Sequence, residues 1–180
     1  MNRKWHGIVG VLASGALAGA LTAAPASASA VPADARCLGG PLLGTVMEYC
    51  VGMLPAGRTA DWLDDTRRFD TGQLQGAKRV YGLDDGTNLR ITAYEDGAVA
   101  LTPENLAQGD ERFDGAEEIR DARGRTGLLG DGAVLVQLSA EETAPEEGPF
   151  TFEVGTDFPS SFDPGELVEI AGHVTATGER

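Results

Sequence analysis

Apolar residues recur at intervals of three and four along the first part of this chain and in alternation after residue 73. That change of period sets the predicted architecture. From Pro41 to Leu54 the apolar positions are Leu42, Leu43, Val46, Met47, Cys50, Val51, Met53 and Leu54. This is the spacing of an amphipathic helix that starts at Pro41 and ends at Pro55-Ala56-Gly57. Thr59 to Arg68 reads as a second short helix, with Thr59 as N-cap, Asp61 in the first turn and Arg67 and Arg68 in the last.

Beyond residue 73 the pattern becomes extended. Gln75 to Leu83 is a strand candidate, Asp85-Gly86 a turn, and Leu89 to Glu95 a stronger strand. Asp96-Gly97 followed by Ala98 to Thr102 predicts a hairpin with a two-residue loop. Pro103 to Ala107 suits a single helical turn and Gly109 to Gly115 a surface loop, while Ala116 to Arg123 fits helix and strand equally. Ala133 to Ser139 alternates Val134, Val136 and Leu138 on one face. Phe150 to Val154 turns Phe150, Phe152 and Val154 inward and Thr151 and Glu153 outward, after an acidic loop from Glu141 to Pro149.

The last element carries the most local signals. Asp163 caps, Pro164 takes the first helical position and Glu166 the reciprocal capping position. Leu167, Val168, Ile170, Ala171 and Val174 then form one apolar face. The expectation is an α+β fold: an antiparallel sheet packed by an N-terminal helical segment and a C-terminal amphipathic helix. Residues 31–72 should be mainly helical, and 73–180 should hold the sheet and its closing helix, within a single domain.

Ahead of the domain stands a leader. Arg3 and Lys4 precede an uncharged run from Ile8 to Leu21, and two A-x-A sites follow, at Ala26-Ser27-Ala28 and Ala28-Ser29-Ala30. This is the order of a secretory signal peptide over 1–30, with cleavage after Ala28 or Ala30. A secreted, extracellular protein with no membrane anchor after cleavage is therefore expected. Asp34, Ala35 and Arg36 are wrong for a lipid anchor on Cys37, so Cys37 and Cys50 are expected to pair as a disulfide. The chain-entropy model values it at about 3 kcal/mol.

Charge narrows the partners. The chain holds 14 Lys and Arg against 28 Asp and Glu, a formal net charge of −14. Nucleic acid and anionic membrane are excluded as partners, because both are bound through Lys and Arg. An extracellular protein, a peptide or a small ligand remains open.

The segments AEEIRDARGRTGLL, AVLVQLS, FTFEV and ELVEIAGHV, between Ala116 and Val174, resemble the closing part of small exported bacterial domains. Those domains are secreted or lipoprotein-like, and some are associated with sensors. The resemblance implies an extracytoplasmic module that binds a ligand or partner rather than reacting.

Catalytic chemistry has little to stand on. The exported chain has one histidine, His173, which could act as a base with an acid and one of Ser139, Ser160 or Ser161. A cation at a helix C-terminus explains it as well, and no G-x-S-x-G elbow accompanies it. Zinc lacks ligands, and the acidic turns Asp84-Asp85-Gly86, Glu95-Asp96-Gly97 and Asp131-Gly132 lack the spacing of a calcium loop, so no metal and no cofactor are expected. Asp64, Asp65, Glu117 and Glu118 are candidate paired carboxylates for a hydrolase. The Gly124 to Gly132 stretch has no phosphate-binding lysine. Thr156 to Asp163 holds Phe158 and Phe162, a possible recognition loop, or two rings packed on the core with Phe162 as a staple.

The reading is thus a secreted, acidic, non-catalytic binding module. A small carboxylate-based hydrolase and an inhibitor-like protein are the alternatives. A deep pocket with converging carboxylates would favour the enzyme, and an apolar groove or exposed aromatic patch the binder.

Overall fold

The computed structural model describes residues 37–44, 46–139, 142 and 150–177. The expected leader over 1–30, the lead-in over 31–36 and all of the acidic loop except Glu142 lie outside the described residues. The elements in chain order are β1 (Leu42–Leu43), β2 (Glu48–Val51), β3 (Ala60–Asp70), β4 (Leu74–Leu83), β5 (Asn88–Gly97), α1 (Pro103–Ala107), β6 (Glu117–Arg120), β7 (Thr126–Gly130), β8 (Ala133–Gln137), β9 (Thr151–Gly155), α2 (Pro164–Gly172) and β10 (Val174–Thr177).

The fold is mostly β, which corrects the α+β expectation. Strands β3-β4-β5-β9-β8-β7-β6 form a seven-stranded antiparallel sheet, and β1-β2-β10 form a second, three-stranded one. Among the described residues no N-terminal helical segment packs the sheet. The span from Pro41 to Leu54 holds β1 and β2, and Thr59 to Arg68 falls largely in β3.

The reasons are local. Around β2 the buried residues are Met47, Tyr49 and Val51, every second position, with Glu48 and Cys50 half-buried between them. A count that treats all apolar residues alike hides this alternation, and Gly44 with β-branched and aromatic neighbours disfavours a helix. In β3, Thr59 and Asp61 do look like a helix start. Pairing with β4 along its whole length overrides that weak propensity. The predicted Asp96-Gly97 hairpin is also absent: both residues finish β5, and Ala98 donates instead to the Gln73 carbonyl.

One face of the large sheet meets the small sheet and α2. Leu42, Tyr49 and Val51 pack there with Tyr81, Leu89, Ile91, Val136, Phe152, Val154, Leu167 and Ile170 in one continuous core. A smaller cluster of Phe113, Ala133 and Leu135 covers part of the opposite face, under α1 and the 3-10 turn at Glu111–Phe113. The closing helix is capped as its sequence predicts, by Asp163 accepting from the Gly165 amide at 2.8 Å. Glu166 does not cap back. It accepts from the Ala56 amide at 3.2 Å, tying α2 to the turn after β2.

Candidate functional site: a cleft beside the sheet edge

β3 is an edge strand of the seven-stranded sheet and carries Trp62 and Leu63, 54% and 41% exposed. Large apolar side chains this open on neighbouring positions mark a contact surface. A register shift between Ala60 and Trp62 sets Trp62 opposite Gly82 and Leu63 opposite Tyr81. Gly82 is needed there, because a Cβ on it would fall 1.9 Å from the Trp62 indole. The ring lies across the bare backbone of β4.

Leu63 faces the Leu38-Gly39 segment, which the fold anchors firmly. Cys37 and Cys50 form the expected disulfide, with Cα atoms 4.9 Å apart. The Leu38 amide donates to Val51, and the Leu38 carbonyl accepts from the Tyr81 hydroxyl at 2.9 Å and from buried Arg79. On the other side runs the turn from Met53 to Thr59. It is closed by Arg58 donating through its amide to Pro55, and held to α2 by Glu166.

Between these walls lies a cleft of about 830 Å³, lined by Leu38, Met53, Leu54, Trp62, Leu63 and Tyr81 among others. Its charged lining residues are Arg58 and Asp61. Arg58 is engaged: it pairs with Asp85 at 3.2 Å, lies over the Phe162 ring and donates to the Ser161 carbonyl. Asp61 is exposed. Such a cleft can take an apolar group beside a positive charge, and it offers neither a nucleophile–base pair nor converging acids.

A second depression of about 400 Å³, lined by Phe69 and Leu74 as well as by charged residues, opens on the outer face of the large sheet, over Glu153. Arg112 donates to Glu153 at 2.8 and 3.3 Å, Arg90 at 3.2 Å, and the Tyr94 hydroxyl at 3.1 Å. Burial pushes the Glu153 carboxyl up, but the charge and hydrogen bonds of Arg112 and Arg90 outweigh it and hold the group below its ordinary value. Burial first, then the neighbouring Glu153 charge, drives the Tyr94 hydroxyl well above its usual range. The network is satisfied internally and reads as structure. Glu153, expected to face solvent, is instead covered by these arginines.

The residues singled out from sequence do not gather into one site. Phe158 is 42% exposed, whereas Phe162 is buried in the core under Arg58. Asp64 lies on β3 at one edge of the large sheet, and Glu117 and Glu118 lie on β6 at the other. Six strand spacings separate them, on the order of 30 Å. Asp65 is in β3 opposite Arg79, but its side chain lies outside the described residues. Glu118 shares a small cleft of about 320 Å³ with Glu104 and Arg120. His173 follows α2, where its carbonyl accepts from the Gly52 amide. Ser139 donates to Glu142, and Ser160 and Ser161 lie exposed in the 3-10 turn at Pro159–Ser161.

Asp85 serves its turn, accepting from the Thr87 amide and hydroxyl, which with Arg58 hold its carboxyl below the usual range. Among the described residues no group of three or more His, Cys, Asp or Glu could hold a metal ion, and no helix is long and apolar enough to cross a membrane.

The cation serving the end of α2 is one that the sequence did not point to. Buried Arg125 donates to the Ala171 and Val174 carbonyls at 2.7 and 3.0 Å, pairs with Asp121 at 2.6 Å, and stacks 4.9 Å from Phe152. The cleft residues were missed too. Trp62, apolar amid charges, was the available signal, but a helical reading of 59–68 gave it no groove to line.

No family model, no curated protein and no solved structure matches this chain.

Proposed function

We propose that this chain is an exported, non-catalytic binding module whose cleft receives an apolar side chain from a basic segment of another protein. The observation that carries this reading is the exposure of Trp62 and Leu63 on the rim of an apolar cleft of about 830 Å³. Aromatic anchors of this kind concentrate binding energy at protein contacts. Asp61 on the lining and the net charge of −14 select a cationic partner and repel an acidic one. The disulfide between Cys37 and Cys50 is compatible with an oxidising, extracellular setting, as the leader motif suggests. It also makes the Leu38-Gly39 wall rigid, which lowers the ordering cost of binding.

Trp62 supplies the test, since Trp5 lies in the leader and no third tryptophan exists. Short peptides of Lys and Leu titrated into the exported chain should shift Trp62 emission to the blue. Their acidic counterparts of Glu and Leu should not. Trp62→Ala should remove the binding heat in calorimetry. Equal binding of both peptides, or of neither, overturns the reading.

A further inference from the structure

On the outer face of the large sheet, Lys78 of β4 stands opposite Thr92 of β5, and Thr92 opposite Glu153 of β9. Opposed residues of an antiparallel pair share a face, so the three side chains form one row. Glu153 is filled by Arg112, Arg90 and Tyr94, but the other two members of the row are open. Among the described residues neither the Lys78 ammonium nor the Thr92 hydroxyl makes a hydrogen bond, and Lys78 makes no ion pair. Thr92 is 6% exposed, and with Lys78 it lines the depression of about 400 Å³ over Glu153. A hydroxyl this enclosed is ordinarily bonded, so an open one beside a cavity marks a place for a ligand. Lys78 is half-buried and is the one lysine outside residues 1–30, in a chain with 28 acids against 14 bases. It acts through space on Asp157, which Arg90 already holds at 2.7 Å.

We propose that this depression binds a small monocarboxylate with an apolar body. The carboxylate accepts from the Lys78 ammonium and the Thr92 hydroxyl, and the charge on Lys78 strengthens the contact. The apolar part lies against Phe69 and Leu74, which line the same depression. Tyr94 braces the Phe69 ring edge-on, with centroids 5.9 Å apart. The volume lies in the range of small-molecule sites, roughly 300–1,000 Å³.

Charge sets the ligand's valence. The lining holds Lys78, Arg90 and Arg112 against Glu153, and Asp110 and Asp157 pair with the arginines from outside it. Three cations thus meet three acids, and Lys78 is the one cation of the three with no carboxylate in contact. One negative charge suits that balance. A phosphate brings a second charge toward Glu153 and Asp157, with no further free cation to meet it. This inference goes beyond the Trp62 cleft and does not rest on it, since peptide binding can fail while the carboxylate site stands.

Reductive methylation with isotope-labelled formaldehyde marks the exported chain at Lys78 and at its terminal amine, and leaves both charged. Phenylacetate should move the Lys78 signal in NMR spectra to a plateau and leave the terminal signal still. Phenylacetamide, which has the same shape without the charge, and inorganic phosphate should leave both still. N-Acetylphenylalanine offers the same groups as a chain end, so tighter binding than phenylacetate assigns the site to a peptide terminus and weaker binding to a free acid. On the unmethylated chain, saturation transfer to phenylacetate should show affinity falling roughly tenfold in Lys78→Met and severalfold in Thr92→Val. Thr92→Val keeps the side chain's shape and removes an unbonded hydroxyl, so its melting temperature should not fall. A Lys78 signal that stays still, or that moves equally with the amide or with phosphate, overturns the proposal. So does unchanged affinity in both variants.

Discussion

The guanidinium of Arg58 lies 4.2 Å above the ring of Phe162, so the turn that walls the Trp62 cleft is fastened to the loop before α2. The same side chain donates to the Ser161 carbonyl and pairs with Asp85 beyond β4. One arginine thus joins three segments far apart in sequence. Phe162 supports the cleft from beneath and does not enter it.

The two phenylalanines of that loop should therefore behave differently. Phe162→Ala removes a buried ring and the platform for Arg58, and should cost about 3 kcal/mol. Phe158→Ala at an exposed position should stay within about 0.5 kcal/mol. Urea unfolding of the two variants measures both. Equal losses would mean that the loop packs as a unit around Phe158 as well.

Gly82 controls the aromatic rim. In Gly82→Ala the new methyl would fall 1.9 Å from Trp62 Cε2 and 2.0 Å from Nε1, so the half-exposed indole must swing aside. Stability should drop by about 1 kcal/mol, because an exposed ring can yield where a buried one cannot. Trp62 emission should move to the red and the affinity for basic peptides should fall. Unchanged emission in a folded variant would show that the ring does not lie across β4.

Strands β4, β5, β8 and β9, the turn helix α1 and the capped helix α2 were legible because each carries its own signal: alternation, or a proline at the helix start. The disulfide was legible from the two cysteines, Cys37 and Cys50, once export was expected. β1, β2 and β3 were not. β1 and β2 pair with each other, and β2 pairs also with β10, more than a hundred residues away in sequence, so no local pattern announces that sheet; β3 pairs with β4 across a short turn, but its helix-like start hides it. Val174 shows the limit well. It fits the apolar face of the closing helix, yet it opens β10 opposite Val51. The cleft inherits this blindness, because its walls come from the misread segments. Trp62 and Leu63 become neighbours of Leu38 and Met53 only once β3 is a strand.

Arg125 is the buried charge on which the end of α2 depends. Arg125→Met would leave Asp121, itself buried, without its 2.6 Å partner and strip the Ala171 carbonyl at the end of α2 and the Val174 carbonyl at the start of β10 of their donor. A loss of about 3 kcal/mol is expected, typical of orphaning one half of a buried pair. Adding Asp121→Leu should recover part of that loss, since the uncompensated carboxylate then disappears. Additive losses in the double variant would locate the effect in the carbonyl contacts alone.

Glu153 should make the fold sensitive to acid. Burial opposes its ionisation, but Arg112 and Arg90 reverse that effect, and the native carboxyl lies below the ordinary value. A depressed native pKa means that the stabilisation is fully present above the unfolded value of about 4.3, and fades as pH falls through the native one. Asp110 is lowered as well, chiefly by its hydrogen bond from Arg112, so protonating either acid weakens the hold on the same guanidinium. In Glu153→Gln the charge is gone at every pH. The variant should be clearly less stable than the unaltered chain at pH 7, and the gap should close as pH falls below the ordinary carboxylate range. Urea titrations across that range give the difference directly, and a gap that stays constant would mean that Glu153 contributes through shape and not through charge.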